Sequence, residues 1–329
     1  MGYKKSACLK TIAYELNLSI NTISRALRDC DDISEKTKKL VRQKAIEMGY
    51  LPNSVLYSIK SNDSHLIALI INNIQNFYFT IMSSKITYYL RKEGYLGVII
   101  PLFGNEFNLD VVKECVYQRV DGIISFVEPT KESLDVVKIN KIPLLIVGRH
   151  IDDEYCDEVY TDDYKGGEIA AEYLANQGVK NFIYVGVNGS ECSNRRYNGF
   201  KDYLRNTLKT NKYKKILIEC FEKYVTFVKE NKNLGIFCYN DEHYYEILKI
   251  LNKHSVDTKD IKFVGYDAVN ANLEGTSYLP SIGFDYDAIA KAAVSAMVSS
   301  EKDQCKGHIS LCYDVHLEDK KDKGDNREK

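Results

Sequence analysis

The segment SINTISRALR, near the N-terminus, combines side chains whose chemistry suits double-stranded DNA. Arginine can bind a guanine edge through two hydrogen bonds, asparagine can bind adenine in the same way, and isoleucine can contact the methyl group of thymine. Hydroxyl side chains suit phosphate oxygens. We therefore predict that Ile20, Asn21 and Arg25 read bases, and that Thr22 and Ser24 contact phosphates.

Two short helices separated by a tight turn would position these side chains. Residues 11–28 carry apolar or small side chains at the spacing of such a pair, at Ile12, Ala13, Leu16, Leu18, Ile23, Ala26 and Leu27. Asn17 can adopt the left-handed conformation of the turn, and Ser19 is placed to cap the second helix. The pattern predicts a helix-turn-helix, whose second helix enters the major groove of DNA.

A third helix is predicted within ISEKTKKLVRQKAIEMGY, which follows the pair. Ser34 is its expected cap and Gly49 its expected end. Its buried stripe is predicted at Leu40, Val41, Ala45 and Met48. Three helices can enclose a small core.

From residue 65 onward, short apolar runs alternate with helical segments. The runs are LIALII, LGVII, GIISF, PLLIV, EVY, NFIYVG, KILIE, LGIFCY and IKFVG. Repeated strand-helix units form parallel sheets that are covered by helices. There are too many strands for one sheet, and an acidic stretch near residues 152–158 separates two sets. We therefore predict an α/β body of two doubly wound lobes.

Polar and aromatic side chains follow the ends of these predicted strands. In doubly wound folds, ligands bind beyond the carboxyl ends of the strands, which here would face a cleft between the lobes. The segments after the strands supply aromatic rings, arginines, asparagines and aspartates. This mixture suits a sugar, because polar groups bind adjacent hydroxyls while aromatic faces cover the apolar faces of the ring.

The composition is that of an ordinary globular protein. Apolar residues make up 44% of the 329 residues, and no window approaches the roughly 18 unbroken apolar residues that a membrane helix requires. The N-terminus lacks the apolar core of a signal peptide, so we expect a cytoplasmic protein and no membrane partner. The first 60 residues hold eleven Lys or Arg and six Asp or Glu, and this positive excess suits a polyanion.

Motifs of enzymes and metal sites are missing from the sequence. We find no HExxH, GxSxG, Walker or GxGxxG element, so we expect no catalytic residues and no cofactor. The nine cysteines form no CxxC pair and have no histidine at zinc-ligand spacing. We therefore expect reduced, mostly buried thiols and no metal site.

Several longer segments carry a family resemblance. They are TIAYELNLSINTISRAL, the ISEKT stretch, GYLPN at 49–53, SIK at 58–60, VYTDDYKGGEIAAEYL, the RxxGF pattern at 196–200, YND at 239–241 and VGYD at 264–267. Through these segments the chain resembles the LacI/GalR family of bacterial repressors. The resemblance implies an all-α, lambda-repressor-like helix-turn-helix domain and an α/β body like that of periplasmic binding proteins, with two doubly wound parallel-sheet lobes.

The resemblance also implies how the chain is divided and what its N-terminal part contacts. We assign residues 1–52 to the DNA-binding domain, 53–64 to a hinge helix or linker, 65–163 with 286–306 to the first lobe, 164–285 with 307–317 to the second lobe, and 318–329 to a disordered charged tail. In this family the hinge helix folds on the operator and wedges an apolar side chain into the minor groove, which here would be Ile59. The expected DNA contacts are Thr11, Ser19, Ile20, Asn21, Thr22, Ser24, Arg25, Arg28, Asn53, Ile59 and Lys60.

The same resemblance implies an effector site in the cleft. Its expected residues are Asn76, Tyr78, Phe79, Arg149, Arg196, Asn240, Asp267 and Asp285. The chain departs from the family pattern at Phe77, which replaces a common proline, at Gly148, where many members carry Asp, and before Asp285, where one residue fewer is present. Without a carboxylate at 148, a larger sugar, a phosphorylated sugar or a purine are alternatives to a simple monosaccharide.

The predicted function is sequence-specific transcriptional regulation, with repression of a carbohydrate uptake or catabolism operon under the control of a sugar or sugar derivative. The tail EDKKDKGDNREK has no apolar residue for a heptad seam, so we expect a homodimer on a near-palindromic operator. Two alternatives stay open. One is a regulator whose co-regulator is a phosphocarrier protein, and the other is a sugar-binding protein with an inactive DNA-binding head.

Overall fold

A computed structural model describes residues 8–50, 64–102, 106–151, 153–231, 233–269, 279–302 and 307–319. The chain divides into two compact units, Met1–Ser64 and His65–Lys329, which we call the head and the body.

Three helices form the described part of the head. They are α1 (Leu9–Leu16), α2 (Ile20–Leu27) and α3 (Glu35–Glu47). Asn17 follows α1 in the left-handed conformation, with φ 51°. Ser19 caps α2 by accepting a hydrogen bond from the Thr22 amide at 3.0 Å, and Ser34 caps α3 through the amide of Thr37. The predicted helix-turn-helix is confirmed.

A small apolar core holds the head together. Its buried members are Ile12, Ala13, Ile23, Ala26, Val41 and Ala45. The prediction that Leu40 is buried is wrong, because its side chain is 51% exposed. The stripe of α3 instead runs back from Val41 to Lys38, three residues earlier and on the same face. Lys38 is buried along its stem, and its ammonium group pairs with Asp29 and Glu35.

The body contains two six-stranded sheets among its described residues. The strands are β1 (Leu66–Ile71), β2 (Leu96–Pro101), β3 (Gly122–Ser125), β4 (Leu144–Val147), β5 (Cys156–Thr161), β6 (Asn181–Gly186), β7 (Tyr213–Leu217), β8 (Leu234–Cys238), β9 (Lys262–Tyr266), β10 (Ser281–Gly283), β11 (Ser310–Tyr313) and β12 (His316–Glu318). The first sheet has the order β11-β5-β4-β3-β1-β2, and the second has the order β12-β10-β9-β8-β6-β7. Every pair is parallel except β10 with β12.

Helices follow most strands, as the alternation in the sequence predicts. They are α4 (Phe77–Lys92), α5 (Leu109–Gln118), α6 (Lys131–Ile139), α7 (Asp163–Asn176), α8 (Glu191–Asp202), α9 (Val225–Glu230), α10 (Asp241–Lys253) and α11 (Tyr286–Lys302). A π-helical turn extends α8, and a 3-10 helix, Ile218–Tyr224, precedes α9. Helices α4 and α11 pack together on the first sheet, and α7 packs against α8 and the second sheet.

The central strands are buried on both faces, which explains their unbroken apolar runs. Strands β3, β4 and β8 are buried throughout, as expected for parallel sheets with helices on both sides. Because neighbouring strands are parallel, their carboxyl ends lie at one edge of each sheet. The residues just after those ends line the cavity described below, so the predicted two-lobed architecture is confirmed.

The last two strands correct the predicted lobe division. Residues 307–317 were expected in the second lobe, but β11 pairs in parallel with β5 of the first sheet, with Ser310 opposite Glu158. The Ser310 hydroxyl donates a hydrogen bond to the buried Glu158 carboxylate at 2.5 Å. Only β12 joins the second sheet, and it includes Glu318, which was assigned to the tail. Both edge strands are too short for their apolar pattern to distinguish the sheets.

No described helix is long and apolar enough to cross a membrane. No cluster of three or more His, Cys, Asp or Glu side chains within the described ranges could hold a metal ion.

Candidate nucleic-acid interface and ligand cavity

Helix α2 presents the predicted base-reading residues on its outer face. Ile23 and Ala26 are fully buried, whereas Ile20 is 48% exposed, Asn21 is exposed and the Arg25 side chain is 40% exposed. The helical period of 3.6 residues produces this division, since positions 23 and 26 are turned away from 21 and 25. The side chains are therefore available to a partner, and their contact with bases stays a prediction.

Several of the predicted DNA-contacting residues also make local hydrogen bonds in the head. The hydroxyl groups of Ser19 and Thr22 lie 2.8 Å apart at the start of α2. Thr11 donates to the Cys8 carbonyl and accepts from the Cys8 amide, so its hydroxyl helps to cap α1. Arg28 donates through Nε to the carbonyl of Ser24 at 3.2 Å. Asn53, Ile59 and Lys60 lie outside the described residues.

A cavity of about 560 Å³ lies between the two lobes of the body. Seven of the eight predicted effector residues line it, namely Asn76, Tyr78, Phe79, Arg149, Arg196, Asn240 and Asp267. Asp285 does not line the cavity, which corrects its assignment. It is exposed and accepts a hydrogen bond from the Ala288 amide at 2.9 Å, so it caps α11. Phe284, which precedes it, faces the cavity instead.

Aromatic rings from the first lobe form one wall of the cavity. Tyr78 and Phe79, in the first turn of α4, lie 5.1 Å apart between ring centroids. Phe126 follows β3 and packs edge-on against Phe79 at 5.5 Å. Phe77 points away and is 54% exposed, so its replacement of proline leaves the wall unchanged. The wall offers ring faces and edges on which an apolar ligand face can pack.

Glycine at position 148 makes room for this aromatic wall. Its φ of +86° favours glycine, and an added Cβ would lie only 2.7 Å from the hydroxyl oxygen of Tyr78. An aspartate at 148 would therefore collide with Tyr78 in this arrangement. The glycine at 148, where many family members carry Asp, is thus physically linked to the tyrosine at 78.

Arg196 is the most heavily bonded polar residue of the second lobe's wall. Its Nε donates to Asp163 at 2.8 Å, its Nη1 donates to the Tyr239 carbonyl at 2.6 Å, and its Nη2 lies 4.0 Å from Asp267. Its guanidinium carbon also lies 3.4 Å from the centroid of the Tyr266 ring. The side chain is held rigidly, so Arg196 organises the cavity floor.

Two glycines allow the helices around Arg196 to pack closely. A Cβ at Gly167 on α7 would lie 2.0 Å from the Arg196 carbonyl oxygen. A Cβ at Gly199 on α8 would lie 1.9 Å from the carbonyl oxygen of Tyr164. Backbone meets backbone at both points, and a larger residue would push α8 away from α7. Gly167 and Gly199 therefore serve helix packing.

Asp267 offers a hydrogen-bond acceptor to the cavity. It is 7% exposed, and no described residue donates a hydrogen bond to its carboxylate. Burial raises its pKa to about 6, helped by Asp163 and Glu242 and opposed by Arg196. Behind it, burial raises the pKa of Asp241 to about 8, although that carboxylate accepts hydrogen bonds from Ser281 and the Val269 amide. Asp241 is structural, whereas the Asp267 carboxylate accepts no hydrogen bond from the described residues and can accept one from a ligand.

Arg149, the second arginine of the cavity, makes fewer hydrogen bonds with the described residues than Arg196 does. Its Nη1 lies 3.4 Å from Glu128, and its buried Nε has no partner among the described residues. Cys192, near the N-terminus of α8, donates from Sγ to the neighbouring Gly148 carbonyl at 3.4 Å. The charged group of Arg149 also interacts electrostatically with Cys192, so it lies near the positive end of a helix dipole, an arrangement that favours a negative ligand group.

Several residues of the cavity were missed at the sequence level. They are Asn72, Asn73, Thr161, Ser190, Cys192, Tyr239, Glu242 and His243. Most lie one to four residues beyond a strand end, so the strand-end rule could have included them. His243 donates from Nδ1 to Asn240 Oδ1 at 2.5 Å, and burial lowers its pKa to about 4. It is therefore neutral near pH 7.

Comparison with known families accounts for both units. Residues 8–53 match the model of bacterial regulatory proteins of the lacI family, and residues 67–304 match the periplasmic binding protein domain. The chain belongs to the lacI family. As a member it is a DNA-binding transcriptional regulator, with its reader in the head and a regulatory domain in the body.

Relatives of this lacI-family protein align over almost its whole length. The transcriptional repressor PurR of Pasteurella multocida is 26% identical over 93% of this chain and 96% of the relative. PurR of Aliivibrio salmonicida is 24% identical over 95% of this chain and 97% of the relative.

Solved structures share the fold. The lac repressor dimer bound to operator and an anti-inducer matches with a TM-score of 0.78 at 18% identity, covering 96% of this chain and 98% of that one. A LacI family regulator from Enterococcus faecium with bound ribose matches with a TM-score of 0.68 at 18% identity. The match covers 77% of this chain and 97% of that one.

Proposed function

We propose that this lacI-family protein is a homodimeric repressor of a carbohydrate uptake or catabolism operon and acts in the cytoplasm by binding alone, without catalysis. Its head would read one half of a near-palindromic operator, and its effector would be a sugar or sugar derivative held between the lobes. Solved structures of regulators with bound ribose or cellobiose share the fold of this chain. A two-fold dimer on a two-fold site follows from one head reading each half.

The observation that carries the proposal is the composition of the interlobe cavity. An aromatic wall from the first lobe faces Arg196, Asp267 and Asn240 from the second. Rings suit the apolar faces of a pyranose or furanose, while the arginine and the carboxylate suit adjacent hydroxyls as donor and acceptor. The volume of about 560 Å³ lies within the roughly 300–1,000 Å³ that is usual for small-molecule sites.

The proposed mechanism is a shift of population between open and closed lobes. The cavity is lined by both lobes, so an effector can bind more tightly to one lobe arrangement than to another. That preference would alter how the two heads of the dimer are presented to DNA, and with them the hinge at residues 53–64. Ile59 would wedge into the minor groove, with Asn53 and Lys60 beside it.

The proposal can be tested with the full-length protein and a selected operator. A duplex is first selected from a random-sequence pool, and its affinity is then measured with and without a panel of neutral and phosphorylated sugars and purines. At least one sugar should change operator affinity 5-fold or more, in the roughly 5- to 150-fold range of allosteric coupling. If no small molecule changes the affinity and a phosphocarrier protein does, the sugar-sensor proposal fails.

A further inference from the structure

Arg25, which is predicted to read a base, is held by an acidic side chain from the turn after α2. Arg25 Nε donates to Asp32 Oδ1 at 3.2 Å, and Arg25 Nη2 lies 2.6 Å from Asp32 Oδ2. Two donors on one edge of the guanidinium group therefore meet both oxygens of one carboxylate. This is the parallel, bidentate geometry that makes arginine-carboxylate pairs directional.

Asp32 binds one edge of the Arg25 guanidinium group and leaves a second edge available. An arginine has five N–H donors in a planar fork. Asp32 occupies the edge formed by Nε and Nη2, while the edge formed by Nη1 and the second hydrogen of Nη2 has no partner among the described residues. A guanine presents its O6 and N7 acceptors side by side in the major groove, and two parallel N–H groups match them.

We infer that Asp32 is a specificity-determining residue, which orients Arg25 so that its free edge reads a guanine. The inference rests on the proposed reading of bases by Arg25. A free arginine side chain samples many rotamers and loses that freedom on binding, whereas a held one has already lost it. The carboxylate also prevents the guanidinium group from turning toward the nearest phosphate, where it would give affinity without sequence discrimination.

The pair is exposed, which limits the alternative that Asp32 mainly stabilises the fold. The side chains of Arg25 and Asp32 are 40% and 52% exposed, and exposed ion pairs contribute little to folding. When the head binds DNA, the same pair would be covered, and water would compete less for its hydrogen bonds. Its effect is therefore expected in discrimination between bases more than in the stability of the head.

The neighbouring residue Asp31 provides a matched control. It lies in the same turn, is exposed and makes no ion pair among the described residues. Asp31→Asn and Asp32→Asn each remove one negative charge from the same surface. Both should therefore strengthen non-specific DNA binding to a similar extent, and only Asp32→Asn removes the group that orients Arg25.

The test uses full-length protein and the operator selected from a random pool. Affinities are measured for every single-base-pair change in one half-site, with wild type, Arg25→Ala, Asp32→Asn, Asp31→Asn and the double variant of Arg25 and Asp32. Arg25→Ala should identify one guanine-cytosine pair at which discrimination is lost. At that pair, Asp32→Asn should reduce discrimination roughly 3- to 10-fold, which is part of the loss expected when a whole bidentate contact is removed, and Asp31→Asn should change it less than 2-fold.

The double variant should then discriminate no less than Arg25→Ala alone, since Asp32 acts only through Arg25. Unchanged or increased discrimination in Asp32→Asn would overturn the inference while leaving reading by Arg25 intact. If Arg25→Ala changes discrimination at no base pair, the proposed role of Arg25 fails, and the role of Asp32 fails with it. Thermal unfolding of each variant reports any purely structural effect separately.

Discussion

Asn76 of the first lobe donates a hydrogen bond to Glu242 of the second lobe, with Nδ2 2.5 Å from Oε2. Asn76 also caps α4, because its Oδ1 accepts from the Tyr78 amide at 2.9 Å. One asparagine therefore fixes both the aromatic wall of the cavity and a contact between the lobes. Glu242 lies on α10 next to Asn240 and Asp241, so the contact also reaches the second lobe's cavity wall.

Removing this contact should open the cleft. Glu242→Ala should speed hydrogen exchange at the first turn of α4 and weaken effector binding roughly 3- to 10-fold, which corresponds to the net contribution of a typical hydrogen bond. Glu242→Gln keeps an acceptor and should lie close to wild type. Glu246→Ala, on the same helix, is the control. Equal exchange in Glu242→Ala and wild type would show that the bond does not hold the lobes.

Arg196 should matter for stability as well as for binding. Arg196→Met leaves Asp163 and Asp267 buried without their cation, which typically costs about 3–5 kcal/mol in the free energy of unfolding. The neighbouring Arg195 is 36% exposed at its side chain and lies 3.9 Å from Glu191, so Arg195→Met should cost less than about 1 kcal/mol. Urea unfolding of both variants measures the difference. Similar losses in the two variants would contradict a central role for Arg196.

Effector affinity should depend on the ionisation of Asp267. Its pKa of about 6 in the folded protein lies above the roughly 3.9 of an unperturbed aspartate, so the folded state favours the neutral form. The stabilising contribution of this group is therefore present below pH 4 and is lost as the pH rises through 6. Hydroxyl donors of an effector favour the charged form instead, so sugar affinity should rise between pH 5 and 7.

Calorimetric titration at pH 5, 6 and 7 with the strongest binder of the sugar panel measures this dependence. Asp267→Asn should bind weakly and show a flatter profile over the same range, because the group that titrates is gone. The groups that face Asp267 are Arg196, Asp163 and Glu242, and Glu242→Gln separates the contribution of the last. An affinity that falls or stays level from pH 5 to 7 in wild type would contradict the assignment.

Arg149 should distinguish phosphorylated from neutral sugars. Its guanidinium group has one long contact to Glu128 and lies near the N-terminus of α8, so a phosphate on the effector would gain a charge-assisted partner there. We expect Arg149→Gln to weaken binding of glucose 6-phosphate or ribose 5-phosphate more than 10-fold, and that of glucose or ribose less than 3-fold. Arg91→Gln, exposed on α4, is the charge-matched control. Equal losses for neutral and phosphorylated sugars would argue against a phosphate at this position.

The sequence predicted those features that local rules determine. Caps such as Ser19 and Ser34, the left-handed Asn17 and the parallel strand runs depend on a few neighbouring residues, and each lies where it was expected. Asp285 was misassigned because the carboxylate that follows a strand can either face the cleft or cap the next helix. Only the path of the chain beyond β10 decides between them.

Other features depend on contacts between distant segments, which spacing does not reveal. The bond between Asn76 and Glu242 joins residues 166 positions apart. The pairing of β11 with β5 depends on the buried Glu158 and on the hydroxyl of Ser310. The Arg25–Asp32 pair spans only seven positions, yet two exposed side chains with many rotamers could not be matched from the sequence alone.

The most direct test of the account is the affinity of the full-length protein for its selected operator and for a scrambled duplex of the same composition, at physiological salt. A regulator that reads bases through α2 should bind the selected duplex at least about 10³-fold more tightly than the scrambled one. A sugar should change the affinity for the selected duplex only. Equal affinity for the two duplexes would contradict the account and would leave a ligand-binding body with an inactive head.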